Sequence, residues 1–214
     1  MSYPRLIALT GMDGSGKTTV CVPLLSYFRS RGYKTKYVWI RSLHSFAFAF
    51  SKILESLSGP NVIVNPNGRR IRRFDGSPYA GVWPLIEFVS VLPLIIFKIR
   101  LPLLLGHTVV SDRCAIDTVI SIATYIRKPL FVKGCLSRIL LATIPKGVTI
   151  IYFETDLETI LKRKPNIEYT EDEIKVQLML YDVLTSAMGT HRIETSEKNV
   201  DETFKAVLNI IEKV

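Results

Sequence analysis

Gly11-Met12-Asp13-Gly14-Ser15-Gly16-Lys17-Thr18-Thr19 is the stretch whose residue types and spacing are suited to chemistry. It fits G-x-x-x-x-G-K-[ST], a loop that wraps a polyphosphate between a first strand and a first helix. Gly11, Gly14 and Gly16 let backbone N–H groups turn inward around phosphates, in dihedrals that a side chain would block. The helix start adds its partial positive charge. Lys17 reaches the β- and γ-phosphates and the Thr18 hydroxyl is placed for Mg²⁺, with Ser15 and Thr19 completing the loop. The expectation is a site for ATP and Mg²⁺.

A second pair able to do chemistry is Asp112-Arg113, at the end of the buried run Thr108-Val109-Val110-Ser111. The C-terminal end of such a strand faces the same crevice as the phosphate loop. A carboxylate there can hold Mg²⁺, and Arg113 can neutralise charge on a phosphoryl group in transfer. A structural salt bridge is the alternative. Lys162-Arg163-Lys164, before Pro165, either complements a helix dipole or forms a closing lid over about residues 162–170. Arg41, just past a second strand, is either a ligand contact or a solvated terminus.

The elements that must position these residues are legible in outline. Leu6 to Leu9 reads as a buried strand and Thr18 to Phe28 as a helix. Lys36 to Ile40 reads as a second strand, so the unit is a parallel βαβ. His44 to Leu57 reads as helical, with His44 a packing residue. Ser58 to Pro78 reads as a structureless loop whose Arg69, Arg70, Arg72 and Arg73 either reach over a phosphorylated substrate or lie in solvent. Val82 to Leu105 reads as a buried, proline-kinked core helix, with a monotopic membrane-contacting segment as the alternative. Its uninterrupted apolar run, Phe88 to Phe97, is too short to span a bilayer. Val148 to Phe153 is a further apolar strand, and Asp156 caps the helix that follows it. Thr170 and Glu173 form a capping box for a helix to Met188. His191 to Glu194 reads as a last strand and Val200 to Val214 as a closing helix.

The chain has 214 residues, 48% of them hydrophobic, and a net charge of +9. That fits one globular domain, 1–214, with an anionic partner. The partner expected is a small nucleotide, with no nucleic acid and no stable membrane insertion. Cys21, Cys114 and Cys135 lack metal-ligand spacing, and no room for a signal peptide precedes the first strand, so reduced thiols in a cytoplasmic protein are expected.

Over most of its length the chain resembles the thymidylate kinase family of nucleoside monophosphate kinases. The phosphate loop with an acid at its third position carries the resemblance, as do Val110-Ser111-Asp112-Arg113 and the terminal Ile193-Glu194-Thr195-Ser196 with Val200-Asp201-Glu202-Thr203. The resemblance implies an α/β protein of the P-loop NTPase type. That means a three-layer αβα fold on a five-stranded parallel sheet, a Mg-ATP donor and a homodimer. It implies that Asp13 meets the acceptor's sugar hydroxyl, Arg113 clamps both phosphates and Asp112 helps organise Mg²⁺. The catalytic cation would then come from the lid, as Arg163 or Lys164, with Lys162 the third candidate. The expected reaction is dTMP to dTDP.

Three departures accompany the resemblance. Ser90-Val91-Leu92-Pro93 stands where the family has an acceptor-binding arginine, Cys114-Ala115-Ile116-Asp117 stands where the family continues with Tyr and a Ser-x-x-Ala-Tyr-Gln type of run, and the family's Arg-Glu-Pro-Gly segment is reduced to Arg41. Asp112-Arg113-x-x-x-Asp117 is also similar to thymidylate-kinase-like proteins found beside glycan-synthesis genes. It brings in Asp117 as an acceptor-side residue. The alternatives are therefore another nucleotide, a sugar phosphate or lipid-linked acceptor, or an ATPase with no acceptor.

Overall fold

Leu6–Thr10 (β1) is buried at all five positions, because a central strand of a parallel sheet is covered on both faces. A computed structural model describes residues 5–40, 47, 49–53, 61–64, 70–73 and 78–213, with the backbone alone at 61–64 and 70–73. Around β1, Thr35–Trp39 (β2), Thr108–Asp112 (β5), Thr149–Glu154 (β6) and His191–Glu194 (β7) complete a five-stranded sheet in the order β2-β5-β1-β6-β7, with every pairing parallel. From β1 the chain winds to β2 and β5 on one side and to β6 and β7 on the other. The direction of winding reverses at β1, and the loop after it is the phosphate loop, where ligands bind in sheets of this kind.

The period-two alternation of each strand divides the core in two. Leu6, Ala8, Val109, Ile150 and Tyr152 face Trp83–Leu94 (α2), Ala115–Tyr125 (α3), Cys135–Ala142 (α4) and Glu171–Ala187 (α6). Ile7, Leu9, Val110, Ile151 and Phe153 face Lys17–Ser30 (α1) and Val200–Ile211 (α7). The result is the expected three-layer αβα arrangement. Leu157–Arg163 (α5) sits between β6 and α6, capped by Asp156, which accepts from the Thr159 N–H at 2.7 Å. The capping box at Thr170 and Glu173 is formed, and a second one joins Asn199 to Glu202 at the start of α7.

Two expectations are corrected. Within 58–78, Asn61–Val64 (β3) and Arg70–Arg73 (β4) pair as an antiparallel hairpin, so the segment is not structureless. Val-Ile-Val at 62–64 has the β-branched content that a strand favours. The helix at 82–105 forms, running from α2 through a π-helical turn at Ile95–Arg100 into Leu101–Leu104, yet only one of its faces is buried. Trp83, Val91, Ile95 and Ile99 face the core while Leu85, Val89, Phe97 and Leu104 face solvent. Composition reports the apolarity of a helix and not what covers it. Residues 47 and 49–53 are helical, as expected of that region.

Candidate functional site

The phosphate loop begins where β1 ends. Gly11, Gly14 and Gly16 all have positive φ, at 143°, 92° and 91°. At Gly11 the requirement is also spatial, because a Cβ there would lie 2.7 Å from the Phe153 carbonyl of β6. The loop therefore hugs the neighbouring strand, and only glycine allows it. Lys17 is almost fully buried within the loop. Its Nζ donates to the carbonyls of Gly11 and Met12, both at 2.7 Å, and to Ser15 Oγ at 3.1 Å. Burial lowers the pKa of this ammonium, against the pull of Asp117 and Asp112.

Asp112, the last residue of β5, is buried beside the loop. Thr18 Oγ1 donates to its Oδ2 at 2.6 Å and Tyr37 Oη to the same oxygen at 3.1 Å. The register explains the meeting, since Asp112 lies opposite Leu9 on one side and Trp39 on the other. Burial, then Asp112, raises the Tyr37 pKa and keeps its phenol a donor.

Arg113 follows with φ of 86°, a left-handed conformation in a residue with a long side chain. Such geometry costs of order 1 kcal/mol and persists where its surroundings over-determine it. Its N–H donates to the Leu9 carbonyl and its own carbonyl accepts from Ser111 Oγ. The turn aims the guanidinium at Asp13 of the phosphate loop and at Asp117 Oδ1, 3.2 Å away. Asp117 in turn accepts from Thr10 Oγ1 at 2.8 Å, Cys114 N at 2.8 Å, Tyr181 Oη at 2.9 Å and, more weakly, Gly11 N at 3.4 Å. One buried carboxylate thus ties β1, the start of α3, α6 and Arg113 together. Asp117 is almost fully buried and lies off the cavity wall, behind Arg113. Tyr181, whose pKa burial and Asp117 push up, stays protonated and donates.

Lys164 Nζ lies 3.0 Å from Asp13 Oδ2, so Asp13 faces cations from both sides. Arg163 points the other way. Its Nη2 donates to the carbonyls of Thr195 at 2.7 Å and Ser196 at 3.2 Å, in the loop that leads into α7. Ile167 and Tyr169, within the expected lid, are buried in the core. A cavity of about 660 Å³ runs from Asp13, Lys17, Thr18 and Arg113 past Arg163 and Lys164 to Thr195, Lys198, Asn199, Val200 and Thr203, with Trp39 on its rim. It is large enough for a nucleotide. Among the described residues, no group of three or more His, Cys, Asp or Glu side chains could hold a metal ion by itself.

The structure therefore gathers Asp13, Gly14, Ser15, Gly16, Lys17, Thr18, Arg113, Arg163 and Lys164 around one cavity, with Gly11 behind the loop and Asp112 buried behind Thr18. Thr19 belongs to its wall. Arg41, His44 and Arg69 lie outside the described residues, and the side chains of Arg70, Arg72 and Arg73 do too. Sequence reasoning missed Tyr37, Thr10 and Tyr181, whose roles depend on contacts spanning 64 to 107 residues. It also missed Asn199 and Lys198, although Asn199 begins a capping motif that marks the helix start. Compared with models of known protein families and with curated proteins, the chain matches none of them.

Proposed function

We propose that this protein transfers the γ-phosphoryl group of ATP to a nucleoside monophosphate, with dTMP the acceptor and dTDP the product. The observation that carries the reading is the meeting of Lys17, the Thr18–Asp112 pair and the Asp13–Arg113 pair at one end of a nucleotide-sized cavity. The far end, formed by Thr195 to Thr203, suits a nucleoside.

In this reading an oxygen of the acceptor's phosphate attacks the γ-phosphorus in line, forming one O–P bond as the bond to the β–γ bridging oxygen breaks and ADP leaves. The attacking phosphate is already ionised, so no residue serves as a strong base. The work of the protein is positioning and charge neutralisation. Lys17 exchanges its two loop carbonyls for phosphate oxygens as donor binds. Arg113, held in its left-handed turn and oriented by Asp117, faces the transferring group. Lys164, already beside Asp13, is the better placed of the two lid cations to reach the phosphates, while Arg163 fixes the loop against the nucleoside. Thr18 and Asp112 form an oxygen pair suited to Mg²⁺, which is held in such sites by one or two protein oxygens together with substrate phosphates. Held by that pair, Mg²⁺ would supply neutralisation of charge on the donor's phosphates.

A different acceptor is the second reading. It is favoured by α2, which contributes no cation to the cavity wall: Ser90, where an acceptor-binding arginine would stand, is buried and accepts from Ala47 N at 3.1 Å. The test is product formation from Mg-ATP with dTMP, dUMP, the other monophosphates and sugar phosphates. Selective dTDP formation supports the first reading. Turnover with a different acceptor alone replaces it by the second.

A further inference from the structure

The helix at 83–104 is not amphipathic in the ordinary sense, because both of its faces are apolar. One face is in the core; the other carries Leu85, Val89, Ile96, Phe97, Leu101 and Leu104 in solvent, with Leu104 84% exposed and Phe97 64%. A π-helical turn at Ile95–Arg100 lies within the stripe, between Val89 and Leu101. Exposed apolar stripes of this length mark a surface that meets something.

The charges around the stripe say what it meets. Between residues 79 and 153 the only acids are Glu87, Asp112 and Asp117, and all three are buried. Over the same span Lys98, Arg100, Lys128, Lys133, Arg138 and Lys146 are exposed. Lys98 and Arg100 lie on the helix itself, and Arg100 reaches across to the Thr143 carbonyl just past α4, which also exposes Ile139 and Arg138. An apolar stripe with Lys98 and Arg100 on its own helix and Arg138 on the neighbouring helix α4 is complementary to an anionic lipid surface, where side chains enter the acyl boundary and lysine and arginine meet headgroups.

We propose that this face docks on an anionic bilayer, with the helix lying in the headgroup–acyl boundary parallel to the membrane. Nothing crosses the bilayer in this arrangement, in keeping with the absence, among the described residues, of a helix long and apolar enough to do so.

The full chain is sedimented with vesicles of phosphatidylcholine, and with vesicles of equal parts phosphatidylcholine and phosphatidylglycerol. It should bind the anionic vesicles at least about tenfold more tightly, with affinity falling as salt rises. Phe97→Ser with Leu104→Ser, and separately Lys98→Glu with Arg138→Glu, should each weaken that binding by about tenfold while circular dichroism stays unchanged. Leu104→Ser alone, at the most exposed position of the stripe, serves if the first pair disturbs folding. The proposal is overturned if the wild type ignores anionic vesicles, or if neither set of changes alters its binding. It is equally overturned if light scattering finds a dimer that Leu104→Ser dissociates and that does not bind vesicles.

Discussion

Thr18 Oγ1 and Asp112 Oδ2 lie 2.6 Å apart, although 94 residues separate them in the chain. This hydrogen bond joins the first helix to the end of the neighbouring strand and brings together the two oxygens best suited to a magnesium ion. Thr18→Val keeps the shape and removes the hydroxyl. It should raise the Mg²⁺ concentration for half-maximal ADP release by about tenfold or more, with little change in melting temperature. An unchanged Mg²⁺ dependence would separate Thr18 from the metal.

Asp117 is a positioning residue. Replacing it with Asn leaves the buried Arg113 guanidinium with Asp13 as its remaining carboxylate partner and turns a donor toward groups that already donate. Asp117→Asn should therefore destabilise the fold by about 3 kcal/mol. In protein that remains folded it should lower kcat more than it raises KM for ATP, because Arg113 loses its aim. Tyr181→Phe removes one of the Asp117 donors and should cost about 1 kcal/mol with kcat nearly retained. Equal kinetic damage from both changes would point to a merely structural cluster.

Arg163 and Lys164 are adjacent in sequence and opposite in role. Lys164→Ala should lower kcat with KM for ATP little changed, since Lys164 sits at Asp13 by the phosphate loop. Arg163→Ala should mainly raise KM for ATP, because the carbonyls of Thr195 and Ser196 lose their tether. Steady-state kinetics on both variants check the division, and a reversed pattern would exchange the roles.

Much of this site was legible because its motifs are local. The glycine loop, the Asp112-Arg113 pair and the capping residues Asp156 and Thr170 announce themselves within a few positions, and the strands around them are short apolar runs. The burial pattern of 82–105 was not legible, because an apolar helix reads the same whether protein, lipid or solvent lies against its second face. Tyr37 and Tyr181 gave no signal either. Each acts on a carboxylate brought near it only by strand register and helix packing.

The cap on α5 carries a pH dependence. The Ser196 hydroxyl and then the Thr159 N–H hold the Asp156 carboxyl down at about 2, from 3.8. A value depressed by folding stabilises the protein above pH 3.8, and that contribution is lost as pH falls toward about 2. Asp156→Asn still caps the helix. It should change neutral-pH stability little and flatten the acid limb of the melting profile in that window. An acid limb identical to the wild type would remove Asp156 from the explanation.

The central claim is transfer rather than hydrolysis, and a single turnover decides it. Protein in excess is mixed with Mg-ATP labelled in its γ-phosphate, with and without dTMP, alongside Lys17→Ala as the donor-site control. The account predicts label in dTDP when dTMP is present, little cleavage without it, and none in the lysine variant. Label appearing only as inorganic phosphate, at a rate indifferent to dTMP, would contradict it.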